Sequence, residues 1–80
     1  MSEEIKIDQT INLEGMLCPI PVVKVSQAIK SLEIGSVLAA TATDPGVLTD
    51  IPAWTRSTGN ELVSMAREGK IIRFLVKKIK

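Results

Sequence analysis

The chain opens with alternating apolar and polar residues. Between residues 5 and 13 apolar side chains stand at every second position, and Gln9 is the one polar interruption on the apolar side. That period of two is typical of a strand with one buried face. It predicts a first strand over residues 5–13, which Gly15 ends. The apolar positions are Ile5, Ile7, Ile11 and Leu13.

Beyond this strand the apolar spacing changes to three and four residues, which predicts an amphipathic helix. Pro19 and Pro21 are tolerated only in its first turn, where the amide hydrogens have no intrahelical partner. We therefore expect Cys18 near the N-cap and Pro19 near the first helical position. Gly35 is the expected stop. The apolar stripe consists of Val22, Val25, Ile29 and Leu32.

The next segment, residues 37–43, contains only β-branched, small or apolar residues, and this predicts a strand covered on both faces. Asp44-Pro45-Gly46 is a turn signal. A second helix should follow. Because Pro52 does not fit deep inside a helix, we place its regular part at residues 51–58, after a looser lead-in over 47–50. Gly59-Asn60 is the expected end of this helix.

Two further segments, residues 62–67 and 71–79, alternate as strands do, and Glu68-Gly69 between them predicts a tight hairpin turn. The element order is then β-α-β-α-β-β. Right-handed crossovers would place both helices on one face of a four-stranded mixed sheet. The predicted fold class is a two-layer α/β sandwich. Eighty residues suit a single domain, residues 1–80.

Composition narrows the possible chemistry, because the chain has no histidine and one cysteine. A zinc site of side-chain nitrogen and sulfur ligands is excluded, as is every Ser-His or Cys-His nucleophile pair. An internal dithiol cycle is also excluded, since no second thiol exists to resolve it. We expect neither a metal nor a bound cofactor.

Charge and hydropathy point to the cytoplasm. No apolar run approaches a membrane span, and the acidic start Met1-Ser2-Glu3-Glu4 does not resemble a secretory signal. One unpaired cysteine suits a reducing compartment. Net charge is +1, yet basic residues gather near the C-terminus, either as a solvated strand or as a basic docking patch. They are Lys70, Arg73, Lys77, Lys78 and Lys80.

Cys18 is the candidate reactive group. A lone cysteine is ordinarily a small buried apolar residue. At a helix N-terminus, however, unpaired amide hydrogens and the positive end of the helix dipole favour the thiolate, so we expect a moderately lowered pKa. The flanking prolines would hold the sulfur on a rigid turn, and Gly15 would let the loop bend. Such a thiol suits loading by an external sulfur donor, followed by attack from another thiol.

The run Gly15-Met16-Leu17-Cys18-Pro19-Ile20-Pro21 resembles the Gly-x-x-Cys-Pro-x-Pro signature of the TusA-like (SirA-type) sulfur-carrier family. The likeness continues through Thr43-Asp44, Asp50-Ile51-Pro52, Trp54 and the hairpin at residues 69–74. It implies the same β-α-β-α-β-β sandwich and a persulfide carried on Cys18. Family members receive sulfur from a cysteine desulfurase or rhodanese-like protein. They deliver it to an acceptor protein in tRNA thiolation, cofactor assembly or sulfur metabolism, as carriers more than as enzymes with their own turnover.

This chain departs from the family pattern at two positions. Asn12 stands where an acidic residue is frequent, and Leu17 stands where a basic residue often precedes the cysteine. These departures bear on which partner is recognised, and the second removes a cation that would lower the pKa of the thiol.

Other residues have a plain and a functional interpretation. Asp44 and Asp50 are expected to cap helix starts, with Asp44 alternatively facing the thiol. Trp54 is either core or an interface anchor. Met16 and Leu17, apolar residues beside the thiol, would form docking surface.

Two other functions compete with the carrier. One is an RNA-binding or regulatory module that uses the C-terminal basic strand, since the fold resembles the C-terminal domain of bacterial translation initiation factor three. Near-neutral charge and the presence of only Phe74 and Trp54 for base stacking weigh against it, so we expect no specific nucleic-acid partner. The other is a redox enzyme that forms a mixed disulfide with an external thiol.

Overall fold

In a computed structural model, the structure describes residues 6–80, and the six elements follow in the predicted order. The sequence predicts the first strand over residues 5–13; Ile5 lies outside the described residues, and within 6–13 only Gln9–Leu13 form a strand. The elements are β1 (Gln9–Leu13), α1 (Ile20–Lys30), β2 (Val37–Ala42), α2 (Val47–Thr58), β3 (Glu61–Glu68) and β4 (Ile71–Lys77).

The four strands form one mixed sheet in the order β1-β2-β4-β3. β1 runs parallel to β2, with α1 as the crossover, whereas β4 is antiparallel to both β2 and β3. Glu68 pairs with Ile71, so the hairpin turn is Gly69-Lys70, one residue later than predicted. Gly69 has a φ of 60°, a left-handed conformation that glycine adopts without strain.

Both helices pack on the same face of the sheet, which confirms the two-layer α/β sandwich. Val25 and Ile29 of α1 and Val47 and Ile51 of α2 join one buried cluster with the inward side chains of the strands. Phe74 lies in it as the largest fully buried side chain. Burying a side chain of this kind contributes about 1.5–3 kcal/mol. The strand members are Leu13, Leu38, Ala40, Ala42, Ile72, Phe74 and Val76.

Neither α1 nor α2 covers the opposite face of the sheet, so the prediction that β2 is covered on both faces is wrong. Ala39 and Thr41 point to this open face and are half-buried. A shallow cavity of about 290 Å³ lies there, with Thr10 and Leu75 also in its lining. Small and β-branched side chains tolerate partial exposure, which is why β2 lacks the polar alternation that would have indicated one open face.

The helix starts differ from the predictions by a few residues. α1 begins at Ile20 with Pro19 as its N-cap, so Cys18 lies one position before the cap; the Cys18-Pro19 peptide is cis. Pro21 still lies in the first turn, where it costs no hydrogen bond. The helix ends at Lys30, before Gly35, and Leu32 packs on the core from the loop beyond it.

α2 begins at Val47, so residues 47–50 are regular helix and not a lead-in. The N–H of Asp50 already donates to the carbonyl of Gly46, at 2.9 Å. Pro52 has no backbone N–H, so the helix lacks only the hydrogen bond that would reach the carbonyl of Leu48. The turns on either side keep their backbone hydrogen bonds. Gly59 ends the helix as predicted, with a φ of 81° and its N–H donating to Thr55 at 2.9 Å. Within the described part of the chain, no helix is long and apolar enough to cross a membrane.

Candidate functional site: an exposed thiol between two aspartates

Cys18 is exposed to solvent in the loop between β1 and α1, so the interpretation as a buried apolar cysteine is wrong. The two flanking prolines have different surroundings. Pro21 is fully buried under the start of α1, whereas Pro19 is exposed and its carbonyl accepts the N–H of Val23 at 3.1 Å. The thiol is therefore presented from a turn whose helical side is anchored in the core.

The loop before the thiol is held against the end of β2. Gly15 adopts a φ of 82°, which favours glycine, and its N–H donates to Oγ1 of Thr43 at 2.9 Å. The N–H of Met16 donates to the carbonyl of Leu13 at 3.2 Å, and the Met16 side chain packs against the core. The next residue, Leu17, is 72% exposed. Met16 is thus mainly structural, and Leu17 faces solvent beside the sulfur.

Asp44 joins the two helix starts. Its Oδ2 accepts the backbone N–H of Cys18 at 2.7 Å, and its Oδ1 accepts the N–H of Gly46 at 3.3 Å. Gly46 is the N-cap of α2 and has no side-chain cap, so Asp44 does not cap from the N-cap position. The second interpretation, in which Asp44 faces the cysteine, describes its place in the structure.

Asp50 contacts the sulfur itself. It lies in the first turn of α2, and its Oδ2 accepts a hydrogen bond from Sγ of Cys18. The expectation that Asp50 caps the helix is wrong, because α2 begins at Val47, four residues earlier than an Asp50 cap would require. Sequence reasoning missed this contact. The signal that was present is the family-like run Asp50-Ile51-Pro52, which includes the aspartate.

The two aspartates raise the pKa of the Cys18 thiol above its ordinary value. The hydrogen bond to the Asp50 carboxylate has the largest effect, followed by desolvation and by the negative charges of Asp50 and Asp44. The expectation of a lowered pKa is therefore wrong in direction. A helix dipole contributes only about 0.3–1 kcal/mol at an exposed site, and here a full carboxylate charge in contact with the sulfur outweighs it.

Exposed apolar side chains continue from the thiol onto α1. Ile20 is 45% and Val23 43% exposed, and as residues three apart on a helix they are neighbours on its surface. Together with Leu17 they form what we call the apolar rim. Trp54 lies one turn beyond Asp50 on α2, half-buried and packed against the core, so the core interpretation describes its place.

The remaining site chemistry is limited. Among residues 6–80, no group of three or more His, Cys, Asp or Glu side chains has an arrangement that could hold a metal ion. The thiol has a carboxylate in contact and no imidazole in the whole chain. The acid–base group in contact with the thiol is the Asp50 carboxylate, and an exposed thiol of this kind can exchange sulfur with an external partner.

Comparison with known proteins extends over nearly the whole chain. Residues 9–78 match the family described as Sulfurtransferase TusA. The chain is 37% identical over 73 residues to YrkI of Bacillus subtilis, covering 91% of this chain and 97% of that protein. It is 38% identical over 71 residues to the sulfur carrier protein TusA of Allochromatium vinosum, covering 89% and 93% respectively.

A solved structure has the same fold. The SirA-like protein of Desulfitobacterium hafniense superposes with a TM-score of 0.78, over 90% of this chain and 99% of that one, at 20% sequence identity. The likeness confirms the arrangement of two helices on a four-stranded mixed sheet.

Proposed function

This chain belongs to the TusA sulfurtransferase family, and on that premise we propose that Cys18 holds the carried sulfur as a persulfide and relays it between two proteins. The supporting observation is the exposure of Cys18 at the start of α1 in a chain with no other cysteine. A carrier must receive and release one sulfur atom without closing an internal disulfide, and a single accessible thiol meets that need.

Loading and delivery are the same exchange run in two directions. In loading, the Cys18 sulfur loses its proton and attacks the terminal sulfur of a donor persulfide. The donor's S–S bond breaks, and the donor cysteine leaves with the electron pair as a thiolate. In delivery, an acceptor thiolate attacks the terminal sulfur on Cys18, and the Cys18 sulfur leaves and regains a proton. The transferred sulfur does not change oxidation state, so no external oxidant is required.

The partners we propose are proteins that dock around the thiol. The donor is a cysteine desulfurase or a rhodanese-like protein, and the acceptor is a protein of tRNA thiolation, cofactor assembly or sulfur metabolism, acting in the cytoplasm. Leu17 and the rest of the apolar rim supply contact area, and the half-buried Met16, next to Leu17 in the chain, would add to it. Asp44 lies at the start of α2 and Trp54 one turn beyond Asp50 on the same helix, and both would contribute at the edge of the interface.

The RNA-binding alternative draws little support from the basic strand. Arg73 forms an ion pair with Glu68 at 3.8 Å, and Nζ of Lys78 donates to the carbonyl of Leu32 at 2.6 Å. Phe74 is buried in the core and Trp54 is half-buried, so neither ring offers a platform on which bases could stack. Any binding to tRNA should be weak and should fall steeply with salt.

A two-protein relay tests the proposed function. The protein is incubated with a cysteine desulfurase and cysteine labelled with radioactive sulfur, separated from both, and then mixed with dithiothreitol as a small acceptor. We expect label on the wild-type protein that is released as sulfide, and none on Cys18→Ser. Equal amounts of label on the wild-type protein and on Cys18→Ser would contradict the proposal.

A further inference from the structure

We propose that Asp50 holds the proton on the Cys18 sulfur between transfers, so that the unloaded carrier reacts slowly with small sulfur donors and oxidants. The inference rests on the proposed function for its biological meaning, although the proton-holding contact can be tested without any sulfur transfer. It concerns a side chain in contact with the reacting atom, since Sγ donates its hydrogen bond to Oδ2 of Asp50.

The position of Asp50 is set by rigid parts of the fold. Val47 and Ile51 lie on either side of it in α2 and are fully buried in the core. The N–H of Asp50 donates to Gly46 at 2.9 Å, which anchors its backbone in the first turn. On the other side, the bond from the N–H of Cys18 to Asp44 holds the cysteine backbone. The backbones of both partners of the Sγ–carboxylate contact are therefore held in place by the fold.

The charges around the sulfur all favour its protonated form. α2 contributes Asp50, and the turn before it contributes Asp44; both raise the pKa of the thiol. The next charged residues along the chain, Glu14 on the loop and Lys24 on α1, are exposed. Leu17 stands directly before the cysteine, at the position where the family pattern often has a basic residue. A thiolate here would form in contact with a carboxylate, with no cation of the loop or of α2 beside it.

This arrangement affects both halves of the transfer. During loading the thiolate is the nucleophile, so a small thiolate population slows attack on donors in solution. The same population limits oxidation to sulfenic acid, which also proceeds through the thiolate. During delivery the Cys18 sulfur is the leaving group, and a raised pKa slows its departure as a thiolate. Once that thiolate has taken a proton from solvent, the carboxylate stabilises the resulting thiol through the hydrogen bond.

The alkylation rate of the unloaded protein tests the contact directly. The probe is iodoacetamide, which is neutral and reacts with thiolates, used at pH 7 on wild type, Asp50→Asn and Asp44→Asn. Asp50→Asn should enlarge the thiolate population, and because the lower nucleophilicity of each thiolate offsets only part of that gain, we expect a net acceleration of about threefold. Asp44→Asn should accelerate less, because Asp44 bonds the backbone N–H and not the sulfur.

Two controls separate this effect from a change in net charge or a loss of structure. Glu33→Gln removes the same charge from an exposed residue beyond the far end of α1 and should leave the rate unchanged. Asp50→Glu keeps the carboxylate and should keep alkylation slow, which a purely structural role for Asp50 would not predict. Circular dichroism confirms that each variant is folded. An unchanged or slower rate in folded Asp50→Asn, or an equal acceleration in Glu33→Gln, overturns the inference.

A second arm uses sodium tetrasulfide as a small sulfur donor and follows loading by mass. Asp50→Asn should load about threefold faster than wild type. If no variant loads while the alkylation rates behave as described, the proposed carrier function fails and the role of Asp50 stands. If wild type loads and Asp50→Asn matches it in both assays, the role of Asp50 fails alone.

Discussion

The backbone N–H of Cys18 donates a 2.7 Å hydrogen bond to Oδ2 of Asp44, which ties the loop before α1 to the turn before α2. The site is therefore assembled where two helices begin side by side. Cys18 comes from one start, and Asp44 and Asp50 from the other. The geometry of the sulfur depends on this junction more than on either helix alone.

The ionisation of Cys18 should differ between the folded and the unfolded chain. Because Asp50 and Asp44 raise the pKa of the thiol in the fold, the alkylation midpoint of folded protein should lie at higher pH than that of the same protein in guanidinium chloride. The thiol contact then contributes stability below the unfolded pKa and loses it as pH rises through the folded pKa.

Urea unfolding measured against pH checks the second part. Wild type should lose more stability than Cys18→Ser on going from pH 7 to pH 10. The lysines titrate in both proteins, so their effect cancels in the difference between the two. A folded midpoint below the unfolded one would show that a cation acts on the sulfur.

Leu17 should matter for protein partners and not for the thiol itself. Leu17→Ser exposes no core and should change the free energy of unfolding by less than about 0.5 kcal/mol. Sulfur transfer from a cysteine desulfurase should slow, because the substitution removes apolar contact area from the rim. Alkylation by iodoacetamide should be unchanged.

The matched control is Ile34→Ser. Ile34 is 70% exposed, nearly as much as Leu17, but lies beyond the opposite end of α1. Equal slowing by both substitutions would place the docking surface somewhere other than beside Cys18.

Gly59→Ala should destabilise the fold without touching the site. Gly59 has a φ of 81° at the end of α2, where an added Cβ would lie 3.0 Å from Cδ of Lys80. The lysine side chain can move, so the remaining cost is the left-handed backbone, about 1–2 kcal/mol. Urea unfolding measures it, with Ser57→Ala on the exposed side of α2 as a control that should be neutral or slightly stabilising. A decrease in the free energy of unfolding of less than about 0.5 kcal/mol, half the lower end of that backbone cost, would contradict the prediction.

The sequence was sufficient for the fold because its strongest signals are local. The apolar stripe of α1, the alternation in β4 and the glycine at position 59 each reflect a few consecutive residues, and each lies where the pattern predicted. Errors arose where a local rule was applied too strictly. Pro52 suggested a late start for α2, yet the helix tolerates the loss of one hydrogen bond.

The direction of the pKa shift of Cys18 could not be predicted from such local patterns. Cys18 and Asp50 are far apart in the chain, and their contact depends on how α1 and α2 pack on the sheet. The helix-start position of Cys18 was recognised, and the resemblance covered both residues, but neither signal indicated that a carboxylate meets the sulfur. Local sequence therefore predicted the opposite sign for the pKa shift.

The central claim is that Cys18 carries the sulfur, and mass spectrometry of the loaded protein tests it most directly. The protein is treated with a sulfur donor, separated from it, digested, and compared before and after dithiothreitol. The account predicts one added sulfur atom on the peptide that contains Cys18, its removal by dithiothreitol, and no addition to Cys18→Ser that has kept its fold. Added sulfur on another peptide, or on the serine variant, would contradict it.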